Sequence, residues 1–331
     1  MNAGADQGAL IRGPLPGPVR ISIVMPVHNA ERYVEAAIRS VLASDLSELE
    51  LVAVDDGSTD RSLEVMRAIL DPRLVLIRQT PSGGPSRPRN LGIRQARGAY
   101  IALLDADDLI KRDRLSRAVA AMDENPGAAL AFGNYERIDA EGRVLEHSTL
   151  SAYPVFAQLE RQCMPNGWQR ISQAEFARGL LYENFIGTSG VTLRTSALER
   201  VGLFDEELTY SEDRDLWFRL AHLGDALYSN AVGHSYRVFP GSLTFRPGSR
   251  QALQRITVLE RERLRWSTPA ELDQIDRLLA ENLIALAYAQ RKNGQRLASA
   301  TSFLRAFRKT PQSRFLRSAL GSLMPMPGSK S

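Results

Sequence analysis

Three carboxylates stand together in the segment YIALLDADDLI, which runs from Tyr100 to Ile110. Its apolar half is typical of a buried strand, and Asp105, Asp107 and Asp108 follow where that strand leaves the core. Side chains two positions apart on an extended chain point the same way, so Asp105 and Asp107 can converge on one point. Because such carboxylates repel each other, the pattern indicates a hard cation, Mg²⁺ or Mn²⁺, between them. The alternative is a solvated acidic helix cap.

A second acidic strand end occurs earlier, in VAVDDGSTD, where Asp56 closes an apolar run. Ligands of open α/β sheets bind outside the carboxyl ends of the strands, so Asp56 is a candidate for ligand contact. Turn chemistry is the alternative, with Gly57 turning the chain and Ser58 or Thr59 capping the next helix. The two interpretations are compatible, because capping leaves the Asp56 carboxylate free.

The segment GGPSRPRN (Gly83–Asn90) combines glycines with Arg87 and Arg89. Glycines let the backbone approach a ligand, and guanidinium groups pair with diphosphates or base edges. The segment matches neither GxGxxG nor a P-loop. Dinucleotide-binding and NTPase functions therefore lose their main support.

A third acidic cluster opens the segment YSEDRDLWFRL (Tyr210–Leu220), which predicts a helix with Ser211 as its N-cap. Three acids favour the positive end of this helix, namely Glu212, Asp213 and Asp215. The helix dipole keeps Asp213 ionised at neutral pH, as a general base requires. The face that carries Leu216, Trp217 and Leu220 is typical of a core contact.

The elements that must position these acids are strands and helices in alternation. Strands are predicted at Arg20–Val27, Leu49–Asp56, Arg73–Ile77 and Ala99–Asp105. A helix capped by Asn29 follows the first strand, and further helices follow the second and third. This alternation predicts an α/β fold with a mostly parallel sheet covered on both faces.

The organisation of the chain changes after Arg114. A strand in AALAFG, a hairpin near Gly142, and a long irregular aromatic segment precede the third acidic cluster. We predict a flexible leader over residues 1–18, a main domain over 19–248 and a helical extension over 249–331. The main domain divides into two halves, 19–113 and 114–248.

The charge of the chain is uneven. The net charge is +4, yet residues 282–331 contain nine Lys or Arg and no Asp or Glu. This pattern argues against a nucleic-acid surface across the whole protein and indicates a local basic patch. The basic helices either contact the inner leaflet of a membrane or form a solvated face of a helical hairpin.

The remaining composition is that of an ordinary globular protein in a reducing compartment. Cys163 is the single cysteine, which excludes an internal disulfide. No apolar run reaches the length of a membrane span, and the first residues lack the pattern of a signal peptide. The expected location is therefore the cytoplasm, with peripheral contact at the cytoplasmic face of the inner membrane.

Taken together, the motifs resemble the inverting family 2 glycosyltransferases of the GT-A fold, of the type that builds bacterial cell-surface polysaccharides. The resemblance covers about residues 20–247. The segments that carry it are IVMPVHNAERYVEAAIRSVLAS, VDDGSTD, RNLGI, LLDADD and SEDRDLWFRL. It implies the GT-A nucleotide-diphospho-sugar transferase fold with a C-terminal helical extension. It also implies that residues 19–113 are the nucleotide-sugar-binding half of the catalytic domain and residues 114–248 its acceptor half.

The resemblance also implies roles for individual residues. Pro26 and Asp56 line the pocket for the nucleotide base, and Arg89 lies by the base and phosphates. The family's DxD motif maps to Asp105, which is nearer the ribose, and to Asp107, which binds the metal.

On the other side of the implied site, Asp213 is the general base. The acceptor side is predicted to include Glu212, Trp217 and Ser189. One departure concerns the metal, since many members carry a histidine where this chain has Phe239. His234 lies five residues earlier, so strict metal dependence is in question.

The implied reaction is transfer of a sugar from a nucleotide-diphosphate sugar, with a UDP-sugar as the expected donor. The acceptor is the hydroxyl of a glycan or lipid-linked glycan, and the metal is Mg²⁺ or Mn²⁺. One alternative is a catalytically degenerate sugar-nucleotide-binding protein, which Phe239 favours. Another is an aspartate-nucleophile phosphohydrolase, which would place LLDADD near the start of its domain. A nucleotidyltransferase would need a Gly-rich basic loop after the first strand, where this chain reads PVHNAERY.

Overall fold

The strands predicted from the first apolar runs form the middle of one large sheet. The computed structural model describes residues 9–12, 17–239 and 249–324. Contacts divide the chain into two compact units, Met1–Phe239 and Pro240–Ser331. This division falls shortly before the boundary predicted after residue 248, and residues 240–248 lie outside the described part of the chain.

The sheet belongs to the first unit. Its strands are β1 (Ala9–Arg12), β2 (Ile21–Val27), β3 (Leu49–Asp56), β4 (Leu74–Gln79), β5 (Tyr100–Leu103), β6 (Leu109–Ile110), β7 (Ala128–Ile138), β8 (Val144–Glu146), β9 (Gln162–Cys163), β10 (Trp168–Ile171), β11 (Val191–Arg194) and β12 (Asp225–Arg237). They are ordered β1-β4-β3-β2-β5-β11-β7-β12-β10-β9, with β6 on β12 and β8 on β7.

The helices of this unit lie between the strands in sequence. They are α1 (Val34–Leu42), α2 (Ser62–Ala68), α3 (Ser86–Gln95), α4 (Arg114–Glu124), α5 (Pro154–Gln158), α6 (Gln173–Tyr182), α7 (Thr195–Val201) and α8 (Glu212–Ala221). Short 3₁₀ helices occur at Leu150–Ala152 and Thr188–Gly190.

The first half of the sheet is parallel, as predicted. Strands β4, β3, β2 and β5 pair in parallel, and every residue of β3 is buried. The second half is mixed, because β11 pairs antiparallel with both β5 and β7 while β12 pairs parallel with β7. The predicted α/β class is confirmed, and the parallel order holds for the half that carries the first two acidic strand ends.

Two local predictions are wrong. Asn29 does not cap α1, which begins at Val34. The Asn29 backbone has a φ of 52°, and Asn29 Oδ1 accepts hydrogen bonds from the Thr59 backbone amide and hydroxyl. Residues 9–12 of the predicted flexible leader form β1, antiparallel to β4. Apart from residues 9–12 and 17–18, the predicted leader lies outside the described residues.

The second unit is helical. Its helices are α9 (Ser249–Arg263), α10 (Pro269–Lys292), α11 (Arg296–Lys309) and α12 (Ser313–Leu323). The apolar stripe predicted along α10 is mostly buried, at Ile275, Leu279, Leu283 and Leu286. The stripe predicted along α11 is wrong in part, because Leu297 and Leu304 are exposed. No helix in the described ranges has the length and apolarity to cross a bilayer.

Candidate active site

The DADD segment follows β5, whose four residues are fully or almost fully buried. Asp105 is held at its backbone, since its amide donates to Ser189 Oγ at 3.0 Å. The same Ser189 hydroxyl donates to Asp108 Oδ2 at 2.5 Å. Ser189 is buried, so the predicted acceptor contact is corrected to a structural role in fixing the acidic segment.

Asp108 is the inward member of the acidic segment. It is completely buried, and its Oδ1 accepts from the Arg237 backbone amide at 2.8 Å. Burial and the charges of Asp107 and Asp105 raise the pKa of Asp108 well above its ordinary value, against the hydrogen bonds from Ser189 and Arg237. Asp108 therefore joins the acidic segment to β12 and is not available to a ligand.

Asp107 has the chemistry of a cation ligand. Burial, with the Asp105 charge second, raises the pKa of Asp107 to about 6. Arg237 contacts this residue at the backbone, where Nε donates to the Asp107 carbonyl at 2.8 Å. The Arg237 charge and a backbone hydrogen bond oppose this rise in the pKa of Asp107. A divalent cation would remove the repulsion between Asp105 and Asp107, so this oxygen pair fits one.

Arg89 connects the two halves of the site. Its guanidinium is almost fully buried and donates to Asp105 Oδ1 at 2.8 Å and to Glu212 Oε1 at 2.8 Å. It also lies over the Phe204 ring, 5.3 Å from the centroid. Burial alone would lower the pKa of Arg89, but the charges of Asp105 and Glu212 raise it above its ordinary value. Both terminal nitrogens of the guanidinium pair with acids, so Arg89 positions Asp105 and Glu212, and its contact with base and phosphates stays a prediction.

The first residues of α8 carry the other half of the site. Ser211 precedes the helix with a φ of 59° and makes no side-chain cap, contrary to prediction. Burial, with the Asp213 charge second, raises the pKa of Glu212 to about 7, while Arg89 opposes this shift. Glu212 is buried against Arg89, so its predicted acceptor contact is corrected to a positioning role.

Asp213 is held but accessible. Its Oδ2 accepts from Asn184 Nδ2 at 3.0 Å, and its Oδ1 accepts from the Arg214 backbone amide at 2.7 Å. The side chain is half-buried, in contrast to its neighbour Glu212. Two hydrogen bonds therefore orient a carboxylate that is only partly buried.

Trp217 does not belong to the site. It is completely buried, with its ring centroid 6.5 Å from that of Phe204. The prediction of an acceptor contact is wrong for Trp217, since the residue lies on the core face of α8 that the helical spacing also indicated.

Asp56 shapes a loop beside the site. Its carboxylate is buried and accepts from Gln79 Nε2 at 2.6 Å, from the Ser82 amide at 2.9 Å and from the Ser82 hydroxyl at 2.8 Å. The loop then passes close to the segment before α8, because a Cβ at Gly84 would lie 3.0 Å from Thr209 Cγ2. Pro26 pairs with Val54 on the neighbouring strand and is half-buried. Asp56 therefore orders the loop that leads into α3 and Arg89.

The surroundings of Phe239, where the family resemblance implies a histidine, are aromatic. Phe239 lies against Tyr33, with ring centroids 5.5 Å apart, and the Arg237 guanidinium lies 4.7 Å from the Tyr33 centroid. His234 does not substitute, because it is completely buried in β12 and stacks on Tyr135 at 5.0 Å.

The protein offers few side-chain ligands for a metal ion. Among the described residues, no group of three or more histidine, cysteine or carboxylate side chains is arranged to hold a metal ion. Asp105 and Asp107 remain as an oxygen pair, which suits an ion that takes its other ligands from water and substrate phosphates.

The sequence indicated the acids but not their supports. Asn184, Ser189 and Arg237 reach the acids from segments 29, 81 and 129 residues away in the chain. The only local signal was the position of Arg237 in YRVFPGS, the segment that carries the departure at Phe239.

Comparison with known proteins gives a consistent family. The family described as "Glycosyl transferase family 2" matches residues 22–202, more than half of the chain. An uncharacterized glycosyltransferase of Haemophilus influenzae is 40% identical over 133 residues, which are 40% of this chain and 53% of that protein. The succinoglycan biosynthesis protein ExoO of Rhizobium meliloti is 32% identical over 228 residues, 68% of this chain and 62% of ExoO. The chain thus spans about half to three fifths of the length of these relatives.

Solved structures show the same fold. TarS 1-349 of S. aureus, in complex with UDP-GlcNAc, has a TM-score of 0.61 at 22% identity, over 92% of this chain and 88% of that one. The mannosyltransferase PcManGT of Pyrobaculum calidifontis, in complex with GDP-Man and Mn²⁺, has a TM-score of 0.55 at 18% identity, over 95% and 83%. The family match and the shared fold show that the chain belongs to glycosyltransferase family 2 and has the GT-A fold.

Proposed function

We propose that the chain is an inverting glycosyltransferase that moves a sugar from a nucleotide-diphosphate sugar to an acceptor hydroxyl. The observation that carries this proposal is the ion-pair chain from Asp105 through Arg89 to Glu212. It joins two acidic motifs that lie more than a hundred residues apart in the sequence, and Asp213 is the residue that follows Glu212, which supports the proposal of one shared site.

The donor side is formed by Asp105 and Asp107. These carboxylates would hold Mg²⁺ or Mn²⁺, and the bound cation would neutralise charge on the departing diphosphate. The Mn²⁺ complex of PcManGT supports a divalent ion in this fold. The UDP-GlcNAc complex of TarS supports a UDP-sugar as donor. Pro26 and the loop that Asp56 orders form the proposed base pocket.

The acceptor side is formed by Asp213. Its carboxylate takes the proton from the acceptor hydroxyl as the oxygen attacks the anomeric carbon from the face opposite the diphosphate. Asn184 fixes the orientation of the carboxylate through Oδ2. A single in-line displacement inverts the anomeric configuration and needs no covalent sugar–enzyme intermediate, by the logic that separates inverting from retaining glycosidases.

We further propose that the acceptor is a glycan or lipid-linked glycan of the cell surface, handled at the cytoplasmic face of the inner membrane. The name of ExoO, a succinoglycan biosynthesis protein, supports polysaccharide synthesis. An exposed apolar stripe on α12, formed by Leu316, Leu320 and Leu323 and flanked by Arg317, supports peripheral contact with an anionic membrane.

A second candidate function is a sugar-nucleotide-binding protein without turnover. Phe239 favours it, because this ring lies against Tyr33 at the position where the family resemblance implies a histidine that can complete the metal site. The two candidates differ in one measurable respect, which is release of the free nucleotide diphosphate.

A panel of UDP-, GDP- and dTDP-sugars, incubated with the full chain with and without Mn²⁺, separates them. We expect Mn²⁺-dependent release of the diphosphate from one donor class, and at least slow hydrolysis without an acceptor. Binding of a nucleotide sugar with no release, in the presence of candidate lipid-linked acceptors, would support the non-catalytic candidate.

A further inference from the structure

A small cavity of about 20 Å³ lies in the second half of the sheet, apart from the acidic site. Residues of α4, β7, β10, β11 and β12 line it, together with Gly190. A space of this size holds one water molecule or one ion of similar size. The lining residues that matter here are Arg114, Arg117, Gly190, Thr192, Ser229 and Gly233.

Two hydrogen-bond donors of this lining lack partners. Arg114 Nη1 and Thr192 Oγ1 are both buried, and neither has a hydrogen-bond partner within the described ranges. The other end of the Arg114 guanidinium is fixed, since Nη2 donates to the Val191 carbonyl at 2.7 Å. Leaving a buried donor unpaired is unfavourable, so an acceptor between Arg114 and Thr192 would be stabilising.

His234 lies beside the same cavity. It is completely buried, and neither ring nitrogen has a hydrogen-bond partner in the part of the chain that the structure describes. A Cβ at Gly190 would lie 2.7 Å from His234 Cε1, which places the ring against a residue of the cavity lining. Burial and the charges of Arg114 and Lys111 hold the pKa of His234 well below its ordinary value.

The charge around the cavity is positive. Its lining contains two arginines and no aspartate or glutamate. Arg117 is neutralised by Asp113 at 3.0 Å and donates to Ser229 Oγ at 2.6 Å. Arg114 has no carboxylate within ion-pair distance among the described residues, and burial lowers its pKa to about 10. A buried cation without a counter-charge is unfavourable. A bound anion would therefore stabilise the folded protein more than a neutral hydrogen-bond acceptor at the same place.

We propose that this cavity binds one monovalent inorganic anion of halide size, between Arg114 Nη1 and the Thr192 hydroxyl. A water molecule would satisfy both donors but would leave the guanidinium charge uncompensated. Phosphate and sulfate are too large for the space. Glycines at 190 and 233 keep the site open, since a Cβ at Gly233 would lie 3.3 Å from Arg114 Cγ.

The anion site bears on the acidic segment through one short element. The 3₁₀ helix Thr188–Gly190 ends at the cavity and carries Ser189, which holds both Asp105 and Asp108. A bound anion would therefore stabilise the support of the acids without contacting a substrate.

Anomalous diffraction at the bromine edge, from crystals grown in sodium bromide, tests the proposal directly. We expect one bromide peak in contact with Arg114 Nη1 and Thr192 Oγ1. Thermal unfolding of the full chain in sodium chloride, against sodium gluconate at equal ionic strength, should show a saturable rise in Tm of about 2–4 °C. Bromide on the surface only, with water in the cavity, would overturn the proposal.

Thr192→Val supplies a variant that should fold, because it replaces an unpartnered hydroxyl with a methyl group of similar size. We expect it to lose most of the chloride-dependent rise in Tm. Thr149→Val is the matched control, since the Thr149 hydroxyl is also buried and without a partner in the described ranges but does not line the cavity. Equal chloride responses in the two variants would refute the assignment.

Discussion

At the scale of single residues, the site depends on how a buried guanidinium is shared. Arg89 is the common partner of Asp105 and Glu212, and it is more than nine-tenths buried. Removing one partner of a buried ion pair leaves an uncompensated charge, which typically costs about 3–5 kcal/mol. Arg89, Asp105 and Glu212 therefore stabilise the site only when all three are present.

Arg89→Met should lower the free energy of unfolding by about 3–5 kcal/mol at pH 8 and abolish turnover. Adding Glu212→Gln should recover part of the stability, because one of the two unpaired carboxylates is then neutral. Urea denaturation measures both effects. Arg87→Met is the control, since Arg87 is half-exposed and pairs with Glu206 at 3.5 Å; it should change stability by less than about 1 kcal/mol. Equal losses in the Arg87 and Arg89 variants would contradict the shared-charge interpretation.

The raised pKa of Asp107 predicts how the stability of the folded protein depends on pH in the absence of metal. Its pKa in the folded protein is about 6, above the ordinary value of 3.8. The folded state therefore disfavours the ionised form, so Asp107 weakens stability increasingly as pH rises from about 4 through 6. When a chelator removes divalent metal, Asp107→Asn should be more stable than the wild type by about 1–2 kcal/mol at pH 8, and this difference should vanish near pH 4.

Thermal or urea unfolding at pH 4, 6 and 8 measures this difference. Asp45→Asn, an exposed aspartate, is the control and should show little difference at any pH. A variant at Asp107 that is less stable than the wild type at pH 8 without metal would show that the carboxylate is not under repulsion.

The sequence revealed the acids of the site because each stands at the end of an apolar run or the start of a helix. It did not reveal that the Arg89 guanidinium is the positive charge that pairs with Asp105 and Glu212. Arg89 reaches partners 16 and 123 residues away, and such pairs depend on the tertiary fold. The same limit explains why Ser189 was assigned to the acceptor, although it supports Asp105 and Asp108 from inside.

At the scale of elements, local patterns predicted the parallel strands closely. β3 has the predicted bounds, Leu49–Asp56, because its eight residues are buried on both faces and read as one apolar run with an acidic end. The insertion of β11 between β5 and β7 was not predictable. Four residues, Val191–Arg194, carry too little pattern to fix a position in a sheet, which is set by pairing with distant strands.

The contact of α3 with the sheet makes a prediction about packing. A Cβ at Gly92 would lie 2.5 Å from Val24 Cγ1 and 3.4 Å from Val54 Cγ2. Gly92→Ala should therefore lower the free energy of unfolding by about 1–3 kcal/mol, because the helix that carries Arg89 must move away from β2 and β3.

The midpoint of urea unfolding measures the effect of Gly92→Ala. Gly321→Ala is the helical control, since a Cβ there meets no atom within 4 Å; it should be neutral or stabilising by up to about 1 kcal/mol. A Gly92 variant as stable as the wild type would show that α3 packs less closely than described.

At the scale of the whole molecule, acidic and basic character belong to different units. The acids of the candidate site lie in residues 1–239, and the last fifty residues carry only positive charge. Basic residues near an anionic bilayer contribute about 1 kcal/mol each. The proposed contact with an anionic membrane therefore depends on the second unit.

Removing Arg314 and Arg317 together should weaken binding to anionic vesicles about tenfold or more. Both arginines are exposed on α12 beside the apolar stripe. Vesicle flotation at low salt measures binding of Arg314→Gln/Arg317→Gln. The control is Arg39→Gln/Arg61→Gln, which removes two exposed arginines of the first unit. Equal binding by both double variants, or no binding by the wild type, would contradict membrane contact through α12.

We propose that Asp107 binds the donor through its cation and that Asp213 activates the acceptor within one site. Titration calorimetry and turnover of the preferred nucleotide sugar, measured side by side on Asp213→Asn and Asp107→Asn, separate these two roles. We expect Asp213→Asn to lower kcat by about 10²–10⁴-fold with nearly unchanged donor affinity, and Asp107→Asn to lose Mn²⁺-dependent donor binding. Loss of donor binding in Asp213→Asn, or normal turnover in either variant, would contradict this proposal.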